Sequence, residues 1–172
     1  MKRYSISALA LAVMVAVLSP PLTRDAAASS IEPLDVEALS ARADRILVGH
    51  VDSVESHFIA PGSRYIVTDV TLTTERSVLG GAPSNHFVVR HLGGAVGKLG
   101  QLVYGEASYR VGETVILFAS ERQGAFFAVG MAQGVMHVYV DSAGIRRASS
   151  NGRPLDEVLD RARAAVAGRT GR

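Results

Sequence analysis

The chain has 172 residues, a formal net charge of +2, 48% hydrophobic residues and no cysteine or tryptophan. The missing thiols exclude disulfides, cysteine zinc sites, iron–sulfur clusters and thiol nucleophiles together. Stability must then come from apolar packing, and the length suits one domain that buries a core without staples.

At the start, Lys2 and Arg3 precede an uncharged apolar run over residues 6–18, and Pro20 and Pro21 then break any helix. This is the order of a secretory signal. The run is shorter than the roughly 20 residues that cross a bilayer, and Ala26, Ala27 and Ala28 follow it. Cleavage near Ala28 is therefore expected, rather than retention as an anchor. Residues 1–28 carry Lys2, Arg3, Arg24 and Asp25, which account for the whole formal excess. The remainder is near neutral, which argues against nucleic acid or an anionic membrane as partner. The expected product is exported to the periplasm or medium, soluble, and without stable membrane insertion.

Residues 34–43 predict a short helix, with Asp35 as N-cap and Val36, Leu39 and Ala43 along one face. From Ile46 onward the period becomes that of strands. Runs of β-branched or aromatic residues occupy 46–54, 65–78, 87–92, 99–104, 114–119, 126–131 and 135–140. Glycine-rich turn signals separate them, among them Pro61-Gly62, Gly80-Gly81 and Gly93-Gly94. Short strands at this spacing favour a barrel or sandwich.

Within 65–74, Ile66, Val70 and Leu72 alternate with Asp69, Thr71 and Thr73, the pattern of a sheet with one wet face. Val115, Ile116, Leu117 and Phe118 are consecutive, so that strand is expected to be covered on both sides. Leu155, Val158, Leu159, Ala162 and Val166 recur at helical spacing after Pro154, a residue suited to a first helical turn. The expected organisation is a signal over 1–28 and a β-barrel domain with a short N-terminal helix over 29–150. A helix packed on the domain follows over 151–167, and then a disordered tail over 168–172.

Ala43-Asp44-Arg45-Ile46-Leu47-Val48-Gly49-His50-Val51, Thr68-Asp69-Val70-Thr71-Leu72 and Ser77-Val78-Leu79-Gly80-Gly81 form a set. Gly93-Gly94 and Val111-Gly112-Glu113-Thr114-Val115-Ile116-Leu117-Phe118 extend it. The set resembles a group of secreted bacterial domains of unassigned role, similar to the netrin-like or tissue-inhibitor-of-metalloprotease-like domain, over about residues 43–133. The resemblance implies an oligonucleotide/oligosaccharide-binding (OB)-like Greek-key β-barrel with flanking helices. The inhibitors of that family bind the catalytic zinc of their target through an N-terminal cysteine, which this chain lacks. Inhibition by that route is excluded, and a shared fold does not carry a shared function.

The histidines are His50, His57, His86, His91 and His137, and none shows the His-Glu-x-x-His spacing of a zinc hydrolase. His86 and His91 are five apart on a predicted strand and should face opposite ways. Gly93, Gly94, Gly97 and Lys98 imitate a phosphate loop, but the spacing is one residue short and Leu99 replaces the metal-binding hydroxyl. The segment, up to Gly100, reads as a flexible β-loop with positive φ at Gly93 and Gly94. No Gly-x-Ser-x-Gly or Ser-x-x-Lys signature occurs. Asp69, Glu75, Glu106 and Glu113 lie on strands or connections, where spacing alone does not pair them. The few aromatics are not interleaved with a basic stripe, so the stacking platform for single-stranded nucleic acid is missing.

The function expected on this reading is a non-catalytic binding module without cofactor, contacting a secreted or envelope protein or a protease through the 93–100 loop. Two alternatives stand beside it. One is a hydrolase with a composite histidine and carboxylate site, which convergence of His50, His91 and His137 would favour. The other is an accessory structural domain with no ligand.

Overall fold

The structure is a computed structural model that describes residues 32–80 and 86–170. The expected signal and its cleavage point near Ala28 lie outside the described residues. Among the described residues no helix is long and apolar enough to cross a membrane.

The first element is α1 (Val36–Arg42), and the Asp35 carboxylate accepts a 2.7 Å hydrogen bond from the Ala38 amide, the capping role its side chain suits. The strands are β1 (Arg45–Phe58), β2 (Ile66–Leu79), β3 (His86–Leu92), β4 (Gly94–Val96), β5 (Leu99–Gln101), β6 (Thr114–Arg122), β7 (Ala125–Ala128), β8 (Val135–Val140) and β9 (Arg146–Ala148). A single 3₁₀ turn covers Met131–Gly134, and α2 (Leu155–Thr170) closes the described chain. The main sheet is antiparallel in the order β3-β2-β1-β6-β8-β9, with β7 also paired to β6. β4 and β5 form a separate hairpin.

The molecule is mainly β with one short N-terminal and one C-terminal helix, as expected, but the sheet is not closed into a barrel. Among the described residues no backbone ladder joins β3 to β7, and β7 is only four residues long. The two strands meet through side chains instead, the rings of Phe87 and Phe126 standing 4.9 Å apart.

Alternation along the central strands divides the buried residues into two cores. Ile46 and Val48 of β1 and Ile116 and Phe118 of β6 pack with Val36 and Leu39 of α1 and Leu155, Val158, Leu159 and Ala162 of α2. Leu47 and Val51 of β1 and Val115, Leu117 and Ala119 of β6 face the other way, onto Val70, Leu72, Val89 and Tyr109. The uninterrupted run Val115–Ala119 is buried throughout because the strand has apolar neighbours on both faces. β2 keeps one wetter face, where Asp69, Thr71 and Thr73 are half-buried between buried Val70 and Leu72.

Two departures from expectation have tertiary causes. Residues 168–170, expected to be disordered, continue α2. Arg169 donates from Nη1 to the carbonyls of Ser40 and Ala43 at 2.8 and 2.9 Å, so a cation satisfies carbonyls at the end of α1. The expected strand over 99–104 stops at Gln101, and residues 102–113 run outside regular structure before β6.

Phe118 is the largest fully buried side chain among the described residues. Truncation to alanine should cost about 3–5 kcal/mol in denaturant unfolding, whereas Tyr104→Ala, on an exposed side chain, should stay within about 0.5 kcal/mol.

Candidate functional site

The glycine segment singled out in the sequence is a hairpin rather than a free loop. Gly97 and Lys98 form the two-residue turn between Val96 and Leu99, with positive φ at Gly97, where a type II′ turn requires glycine. Gly93 and Gly94 have the expected positive φ, and Gly100 lies within β5. The base of the hairpin is tied to the main sheet. The Gly93 amide donates to the Ile66 carbonyl, the Thr68 hydroxyl donates to the Gly93 carbonyl at 2.7 Å, and the Ile66 amide donates to Gln101 Oε1 at 2.8 Å. A Cβ at Gly94 would stand 2.3 Å from both the Ser56 and Thr68 hydroxyl oxygens.

These ties join the start of β2, next to the β1–β2 turn, to the end of β3 and the β4–β5 hairpin; residues 102–109 follow Gln101, and the Gly105 carbonyl accepts from the Ala132 amide. These segments display apolar side chains to solvent. Tyr104 is 87% exposed, Leu102 77% and Tyr65 70%, and Ile59 after β1, Leu92 at the end of β3 and Leu99 of β5 are exposed as well. Singly exposed apolar residues are ordinary, whereas several exposed on segments close in sequence are a candidate interaction feature. Two of them, Leu92 and Leu102, border a cleft of about 370 Å³, whose wall also includes Ser56, Thr68, His91, Glu106 and Tyr109. The His91 ring stacks on the Tyr109 ring at 5.8 Å, and burial, with Glu106 nearby, pushes the Tyr109 phenol above its ordinary pKa.

The histidines do not converge. His50 is exposed on β1, His91 lies on Tyr109, and His137 Nδ1 is 3.2 Å from Glu113 Oε2. Among the described residues no three His, Asp or Glu side chains are grouped to hold a metal ion. The four carboxylates also stay apart: Glu75 pairs with Arg146, Glu113 with His137 and Arg110, and Asp69 with Arg90 and His57. Glu106 makes no ion pair among the described residues.

One polar cluster crosses three adjacent strands. Arg90 Nε and Nη2 donate to the two Asp69 oxygens at 2.7 Å each, and His57 Nε2 is 3.0 Å from Asp69 Oδ2. His57 Nδ1 is 3.0 Å from the Phe58 carbonyl. A ring that meets a carbonyl at one nitrogen and a carboxylate at the other is best served as the imidazolium, donating from both. The Phe58 carbonyl and then Asp69 accordingly raise the His57 pKa, while Arg90 first and His57 next lower that of Asp69. With both nitrogens engaged and no hydroxyl on either, His57 is a cross-strand tie rather than a general base.

Sequence reasoning missed Leu102 and Tyr104 as site residues because a strand over 99–104 would have put its apolar members in the core, and Glu106 stands in the sequence only as one of four carboxylates that spacing does not pair. In comparisons with known proteins, no family model matches the chain and no curated protein matches it significantly.

Gly94→Ala should destabilise the protein by more than the ~1 kcal/mol expected for Gly97→Ala, whose Cβ would meet open space, as urea unfolding of the pair will show. The His57 link adds stability below the ordinary imidazole value of about 6.5 and loses it as pH rises through the raised folded value. An NMR titration should place His57 above that ordinary value and Asp69→Asn should bring it down; an unshifted His57 would show that the tie does not form in solution.

Proposed function

We propose that this protein is an exported, non-catalytic binding module whose partner is a polypeptide of the cell envelope or medium, seated on the apolar end of the sheet. The observation that carries the reading is the set of exposed apolar side chains, Leu102 and Tyr104 foremost, with Leu92 before and Leu99 on the glycine hairpin. A folded chain gains nothing by holding these groups in water, whereas a partner that covers them gains about 25 cal/mol for each Å² of apolar surface removed. In this reading the segment over 1–28 is the export signal, and no cofactor is required.

The same reading treats the open sheet as an incomplete OB-like barrel of netrin-like type. Its support is the strand order β3-β2-β1-β6, continued by β7 on the far edge of β6, with Phe87 and Phe126 bringing the two ends of that series together. The hydrolase alternative has weaker support, because His50, His91 and His137 have separate surroundings and Glu113 already serves His137. The glycine hairpin acts here as a support that positions Leu99 and Leu102, instead of as an adaptable loop.

The test is affinity capture from secreted and periplasmic proteins of the source organism on the immobilised full chain, beside the Leu102→Asp variant. One stoichiometric protein should be retained by the native chain and lost by the variant, with the unfolding temperature unchanged. Equal retention by both would remove the apolar end from the interface, and retention of nothing would leave an accessory structural domain as the better reading.

A further inference from the structure

The chemistry of the cleft bordered by Leu92 and Leu102 can be worked out from the direction of its hydrogen bonds. The single proton of the Thr68 hydroxyl goes to the Gly93 carbonyl. In the 2.8 Å contact between the Thr68 and Ser56 hydroxyls, Ser56 is therefore the donor, and its remaining capacity is to accept. His91 Nδ1 lies 3.2 Å from the Leu92 carbonyl, so in the neutral ring Nδ1 carries the hydrogen and Nε2 presents a lone pair.

Glu106 adds a carboxylate that has no cationic partner among the described residues, although it is only partly exposed. Arg122 lines the neighbouring groove with Glu106 and makes no ion pair with it. Against these three acceptors the wall's side-chain donors are the Gln101 amide nitrogen, since Gln101 Oε1 is already engaged with the Ile66 amide, and the exposed Ser108 hydroxyl, which also accepts. The Tyr109 hydroxyl is sealed from solvent. The cleft is thus rich in acceptors, negatively charged, and bordered by the apolar side chains of Leu92 and Leu102.

Resting on the binding-module reading, we propose that this cleft receives a lysine or arginine side chain of the partner polypeptide, flanked in that partner by apolar residues. The aliphatic stem lies along Leu92 and Leu102, and the cationic head meets Glu106 with Ser56 Oγ and His91 Nε2 as further acceptors. Long cationic side chains suit such a place because the stem is apolar and the head supplies several donors. An anionic side chain is disfavoured by Glu106, and a purely apolar one would leave the acceptors without donors.

The experiment is a two-dimensional NMR titration of the full chain with acetyl-Ala-Leu-Lys-Leu-Ala-amide and with the same peptide carrying norleucine in place of lysine. The lysine peptide should bind about tenfold more tightly, with shifts at Glu106 and His91, and the preference should shrink to about twofold in Glu106→Gln. His91→Phe, which keeps the ring stack on Tyr109 but removes Nε2, should weaken the lysine peptide alone. Raising the salt concentration should reduce the preference as well. Equal binding of the two peptides, shifts confined to residues outside the cleft, or a preference untouched by Glu106→Gln would overturn the proposal. If both peptides bind equally and the signals of Leu102 and Tyr104 move, the binding-module reading survives and only the cation site falls. If neither peptide binds, the cation site falls, and the capture comparison with Leu102→Asp decides the wider reading separately.

Discussion

Both cores of this domain hang on one backbone ladder, the antiparallel pairing of Arg45 through His50 of β1 with Thr114 through Ala119 of β6. Because side chains alternate across a strand, the same few residues supply Ile46, Val48, Ile116 and Phe118 to the helices and Leu47, Val115 and Leu117 to the curled inner side. A slip of one residue in this register would exchange the two sets. The helices, the inner core and the position of every peripheral strand are consequently set by one alignment.

That arrangement separates support from display. At the helix-covered part of the sheet, ties run between distant elements: Arg161 makes two bonds to the Glu37 carboxylate, and Arg76 reaches Asp156. At the other part, β1 and β2 extend past β6 and carry cross-strand ties, with Asp69 joining His57 and Arg90. The hairpin attaches there through the few bonds of Ile66, Thr68 and Gln101, whereas in the 102–109 segment the Gly105 carbonyl accepts from the Ala132 amide of the 3₁₀ turn. Exposed ion pairs of this kind contribute little each, so the displayed end is held chiefly by its hydrogen bonds and by burial of Ala107 and Tyr109.

Features that depend on local chemistry were legible in the sequence. Asp35 could be named as a cap, Val115 through Phe118 as a doubly covered strand, and 135–140 as a strand, because each rests on neighbours within a few residues. β4 and β9, three residues each, carry too little pattern to be seen. The site was mostly illegible for the same physical reason. Leu102 and Tyr104 are exposed because the chain leaves the sheet after Gln101, and Gln101 spends its side chain on an amide 35 residues earlier. The joining of His57, Asp69 and Arg90 depends on strand register, including irregularities between β1 and β2 that no spacing rule discloses.

The outermost strand β9 has a consequence for self-association. Its sequence Arg146-Arg147-Ala148 places two guanidinium groups on the last rung of the sheet, and the chain then folds back so that Pro154 bridges Arg147 and the Ala148 amide is taken by the Arg153 carbonyl. The guanidinium groups are held by Glu75 and Asp141, and an incoming strand from another copy would meet a residue without an amide hydrogen and a backbone group already engaged. Growth of the sheet into fibres through that edge is thereby obstructed by the chain itself.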